Sequence, residues 1–132
     1  MRKIVDAEGE ILAIVFKLSD FMSQGVNFIS DLSWDFQIAI MAHPKGHEIS
    51  RHHHPKQKRE IFTTSEILII FEGSINADIF DSHNQFMQSI PLEAGHVIFL
   101  KSGGHGFTVS ENAKFMELKQ GPYNSTLDKV LF

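Results

Sequence analysis

The stretch Arg51-His52-His53-His54-Pro55 holds the residues of this chain best suited to chemistry. In an extended backbone, side chains two apart share a face, so His52 and His54 present their imidazoles together while His53 points away. Two neutral imidazoles side by side form half of a site for Zn, Fe, Ni or Mn. A third ligand has to come from elsewhere. His105 stands between Gly104 and Gly106, where a backbone free of side chains can bend to turn one imidazole inward. Glu66, at the head of the apolar run EILIIFE, can add a carboxylate oxygen. Lys56, Lys58 and Arg59 form a basic cluster beside the histidines. Such a cluster is usually a solvated loop, yet the planar fork of Arg59 suits a substrate carboxylate or phosphate. Glu66 and Arg59 are therefore the candidates for a catalytic role. Surface imidazoles account for His43, His47, His83 and His96, all near turns.

Residues placed this far apart in the chain need a scaffold, and the surrounding pattern is one of short strands broken by turn chemistry. Residues 10–17 (EILAIVFK) and 36–42 (FQIAIMA) read as strands, the second ending at Pro44-Lys45-Gly46. Residues 47–54 leave in extended form. From Glu66 the chain reads EILIIFEG and then SINADIF, where Ile75, Ala77 and Ile79 alternate with polar neighbours. That period of two marks a half-buried strand. A turn at 81–84 leads to a strand over 85–90, and Glu93-Ala94-Gly95 turns into HVIFL at 96–100. Strands resume at 107–109 and 113–118. Only 30–34 and 125–131 could hold a turn or two of helix. Many short strands with regular turns predict an antiparallel sandwich or barrel.

On these residues the chain resembles the cupins. The first cupin motif is a glycine, an H-x-H pair, a glutamate and a second glycine, matched here by Gly46, His52, His54, Glu66 and Gly73. The second is matched in outline by Gly95, the HVIFL strand, Gly103 and His105, with Ser74 to Leu92 as the hairpin between motifs. The resemblance spans about residues 46–121. More narrowly, the run from Ser65 through SGGHGF to Lys119-Gln120-Gly121-Pro122-Tyr123 is similar to small single-domain cupins associated with bacterial surface-polysaccharide synthesis. Four features differ: the spacer PKQKREIFTTS before Glu66 is longer than the family's, Lys101 replaces a proline, one residue fewer precedes His105 in the second motif, and Val109 stands where an asparagine is usual. The resemblance implies an all-β fold, a cupin double-stranded β-helix (jelly-roll barrel) in a single domain covering residues 1–132. It also implies a divalent metal ion, Zn, Fe, Ni or Mn, on His52, His54 and His105, with Glu66 as an optional fourth ligand.

Composition narrows the remaining choices. A chain of 132 residues fits one core. The net charge of -4 gives no general attraction to nucleic acid, and no apolar run approaches the roughly 20 residues that span a bilayer. Cysteine is absent, so any metal is held by nitrogen and oxygen. The N-terminus lacks the pattern of a secretory signal, which makes the cytoplasm the expected location. Twelve Phe residues supply mostly core, with Phe71, Phe99 and Phe107 as candidates for a pocket wall. Glu117 and Gln120 could face the cavity, although an outer position suits them slightly better. The apolar tail 127–132 is expected to pack on the barrel or on a second subunit. Three functions fit: a metalloenzyme acting on a small polar molecule such as a sugar derivative or small acid, a non-catalytic metal or ligand sensor, and a metal-free isomerase or epimerase using histidine as acid and base. A homodimer is expected, with residues 10–17 as a pairing edge.

Overall fold

The computed structural model describes residues 1–21 and 23–132. It is all-β and antiparallel, with no α-helix among the described residues. None of its helical turns is long and apolar enough to cross a membrane. The chain forms two compact units, Met1–Asp20 with Thr63–Phe132 and, separately, Phe21–Phe62.

The first unit is a two-layer sandwich. Strands β1 (Arg2–Val5), β2 (Ile11–Lys17), β5 (Glu66–Glu72), β8 (His96–Leu100) and β10 (Lys114–Lys119) form a sheet in the order β1-β2-β8-β5-β10. Strands β6 (Ser74–Phe80), β7 (Phe86–Glu93) and β9 (Gly104–Val109) form the other, in the order β7-β6-β9. Alternation decides the inner faces. Val15, Leu68, Ile70, Ile98 and Leu100 of the larger sheet meet Ile75, Ala77, Ile79, Ile90 and Leu92 of the smaller one in one core cluster. The larger sheet is apolar on its outer face as well: Ile14, Phe16, Val97 and Phe99 are buried there. That explains why β2 and β8 read as unbroken apolar runs.

From β5 onward the chain changes sheets at every connection except the β6–β7 hairpin. The tightest crossing is Gly73, the single residue between β5 and β6. Its φ is 69°, and a Cβ there would lie 1.9 Å from the Asn112 carbonyl oxygen, so only glycine fits. Both hairpins use an aspartate to close the loop. Asp6 Oδ1 accepts the N–H groups of Glu8 and Glu10, each at 2.9 Å, and Asp81 Oδ1 accepts those of His83 and Gln85 at 2.8 and 2.9 Å. Such side chains imitate a backbone turn.

The second unit is built on one hairpin, β3 (Gly25–Phe28) with β4 (Ala39–Ala42). The strand expected at 36–42 starts only at Ala39. The preceding residues serve the loop instead, where the Gln37 amide donates to the Asp31 and Trp34 carbonyls at 2.9 and 2.7 Å. After β4 a turn closes with the His47 N–H on the Pro44 carbonyl, 3.1 Å, and stacks the His43 and His47 rings 4.0 Å apart. Residues 48–62 carry no strand.

Strands expected at 10–17, 66–72, 74–80 and 96–100 form within a residue of those bounds. β1 and β3 were not expected, each being four residues with few buried positions. Because β1 pairs with β2, residues 11–17 lie inside the sheet and β1 takes the edge. A turn at 125–128 and a single 3-10 turn, Leu18–Asp20, are the nearest approach to helix in the first unit.

Candidate functional site

The polar residues of the first unit gather where the sandwich interior opens beside β9 and β10. Along β5, Glu66 shares the inward face with Leu68 and Ile70, so it occupies a position that would otherwise be core. Pairing aligns it with Leu100 of β8 on one side and Lys119 of β10 on the other. From the opposite sheet, β9 aligns His105 with the buried Ile79 and Phe107 with Ala77, which turns both side chains inward. Glu66 and His105 therefore meet across the two layers, with Nε2 to Oε2 at 3.1 Å. Glu66 is the more enclosed, its side chain 12% exposed against 28% for His105.

Several groups hold this pair in place. The head of β5 is pinned by the Ser65 N–H on Gln120 Oε1, 2.7 Å, and by the Ser65 hydroxyl on the Lys101 carbonyl, 3.1 Å. The hydrogen bond from His105 holds the Glu66 carboxyl below its ordinary range; partial burial works against that, and the Lys119 charge adds to it. Lys119 Nζ lies 3.7 Å from Glu66 Oε1 and also donates to Asp128. The Asp128 bond raises the ammonium of Lys119, and the same bond lowers Asp128.

Glu66, His105, Lys119 and Asp128 line a cleft of about 1060 Å³ that runs from the interior around the open edge of β9. Phe80, Phe107, Tyr123 and Phe132 give it apolar walls, while Asp78, Asp81 and Glu117 place further carboxylates in the lining. Of the three phenylalanines expected as a wall, Phe107 lines the cleft, Phe99 is buried on the far face of the larger sheet and Phe71 is half exposed. Glu117 faces the cleft. Gln120 instead braces β5. The roles of Phe80, Tyr123 and Phe132 went unread, although the apolar tail pointed to the last.

The histidine pair lies in the second unit. His52 and His54 are exposed in the segment without strands, yet their rings remain neighbours, 5.3 Å apart and nearly perpendicular. His52 Nδ1 lies 2.8 Å from the Ser50 carbonyl oxygen. A carbonyl only accepts, so Nδ1 carries the proton, an arrangement that in the neutral ring leaves the lone pair on Nε2. Arg59 is exposed in the same segment. Within neither unit, among the described residues, do three His, Asp or Glu side chains gather as a metal group.

Comparison of the chain with protein-family models, with curated proteins and with solved structures returns no match.

Proposed function

We propose that this chain is a small cupin-type metalloprotein, a jelly-roll sandwich with one divalent metal ion that acts on a small polar molecule held in the cleft. The donors it draws on in the first unit are His105 and Glu66; the imidazole pair His52 and His54 stands in the second unit. The observation that carries this reading is the meeting of Glu66 and His105, with donor atoms 3.1 Å apart. Metal bonds of about 2.0–2.2 Å leave adjacent donors on one ion roughly 3 to 3.5 Å apart. The two donors thus fit a single ion, which would replace the proton they share. Nitrogen and oxygen ligands suit Zn, Fe, Ni or Mn. His52 also shows the habit of a metal histidine, whose second ring nitrogen donates to a carbonyl.

When bound, such an ion supplies Lewis acidity toward a substrate oxygen. The chain's own residues do the rest. Phe80 and Phe107 offer flat apolar surfaces, and Asp78, Asp81 and Glu117 accept hydrogen bonds from hydroxyl groups. So many acceptors for hydroxyl groups, set beside Lys119 and Lys129 in the same lining, favour a sugar derivative.

Metal analysis of the native protein tests the reading. One equivalent of Zn, Fe, Ni or Mn is expected, lost in His105→Ala. Protein that stays empty after soaking in all four metals sinks it. A second reading would then stand on the same hydrogen bond, because Glu66 orients the His105 imidazole as an acid–base group needs. Turnover of sugar nucleotides by metal-free protein would support it. Open edges at β1, β7, β9 and β10, with Met116 and Leu118 exposed on the outer face of β10, support a homodimer. Light scattering at the 15.0 kDa of a monomer would refute that.

A further inference from the structure

Lys119 stands between the site and the C-terminal tail. Pairing of β10 with β5 sets it beside Glu66, and its Nζ lies 3.7 Å from Glu66 Oε1. The same nitrogen donates to Asp128 and lies 5.3 Å from the centroid of the Tyr123 ring. Asp128 is held in turn. Its N–H donates to the Asn124 carbonyl at 2.9 Å, and Asn124 Oδ1 accepts the N–H groups of Thr126 and Leu127 at 2.9 and 3.1 Å. Four residues on, the Phe132 ring meets Phe80 edge-on at 5.2 Å and fills the space over Gly104. A Cβ on Gly104 would lie 2.6 Å from that ring. The tail is thus fixed at two points, and the first holds the ammonium nearest Glu66.

An ammonium and a divalent cation draw on the same carboxylate, and they repel each other across it. We propose that Lys119 is a built-in competitor for the metal position on Glu66, and that Asp128 sets how strongly it competes. This rests on the reading that Glu66 and His105 hold the metal. Removing the ammonium frees Glu66 Oε1 and removes a repelling charge. Removing the Asp128 charge leaves Glu66 as the carboxylate in salt-bridge reach of Lys119, with Glu117 acting on it at longer range. The two halves of one salt bridge therefore act on metal affinity in opposite senses. A merely structural bridge would move both in the same sense, through loss of order.

Titration calorimetry of the full chain with Zn²⁺, Mn²⁺ and Ni²⁺ tests this on the wild type and on Lys119→Gln, Asp128→Asn and His105→Ala, with a thermal melt of each. Lys119→Gln is expected to tighten the preferred metal on the order of tenfold. Asp128→Asn is expected to weaken it several-fold, and His105→Ala to abolish binding. If the wild type binds and His105→Ala does not, but Lys119→Gln binds no tighter, the metal reading stands and the role of Lys119 is overturned. Asp128→Asn binding as tightly as the wild type overturns it too, and does not depend on Lys119→Gln folding. No binding by any form overturns both.

Discussion

Glu66 is a carboxylate in a row of core positions, kept ionised by neighbours rather than by water. Its folded value lies below the 4.5 of a free side chain, chiefly through the His105 hydrogen bond. The sign follows from which state binds the proton first: the unfolded chain does, so the contribution of Glu66 is complete above about pH 4.5 and is lost as pH falls through the lower folded value. The urea midpoint of the wild type should therefore fall more steeply than that of Glu66→Gln between about pH 5 and pH 3. Parallel curves would show that Glu66 is not held in this way. His52, His54, His105 and Glu66 could be picked out because histidines at a spacing of two, or set among glycines, leave a visible mark. Lys119 and Tyr123 leave no such mark, since their placing depends on a tail that folds back onto β9 and β10; for Phe132 the apolar character of that tail was legible, but not where it packs.

At the scale of elements, glycine and aspartate do the turning. Gly73 joins the two sheets with one residue, and any side chain there meets the Asn112 carbonyl. Gly73→Ala should cost at least about 2 kcal/mol in chemical denaturation, from left-handed strain and the clash together. Asp81→Ala should cost about 1 kcal/mol, since it removes two hydrogen bonds from the β6–β7 loop. A loss below roughly 0.3 kcal/mol would show that the loop closes without its aspartate. β5, β6 and β8 were legible because their periodicity and apolar runs are local properties. The beginning of β4 was misread because Gln37 spends its amide on loop carbonyls, a choice that apolar patterning does not record. Which sheet each strand joins was equally hidden, as pairing is settled by residues far away in sequence.

For the whole molecule, the feature with most reach is that the first unit is assembled from both ends of the chain. Residues 56–59 lie exposed between its two pieces and carry Lys56, Lys58 and Arg59. Brief trypsin treatment should cut there first. The two fragments should still elute together in native buffer, because β2 and β8 remain paired from Ala13 with Leu100 to Lys17 with His96. Separation without denaturant would mean that this pairing is weaker than its burial implies. The same arrangement bears on how the protein is made. Ala13 and its partner Leu100 are 87 positions apart (100 minus 13). At synthesis rates of about 5–20 residues per second, β2 leaves the ribosome roughly 4 to 17 s before β8 can cover it. Through that interval the run LAIVF has β1 along one side, while its other edge and both its apolar faces await later strands. The nascent chain should therefore depend on chaperones most while β2 waits for β8.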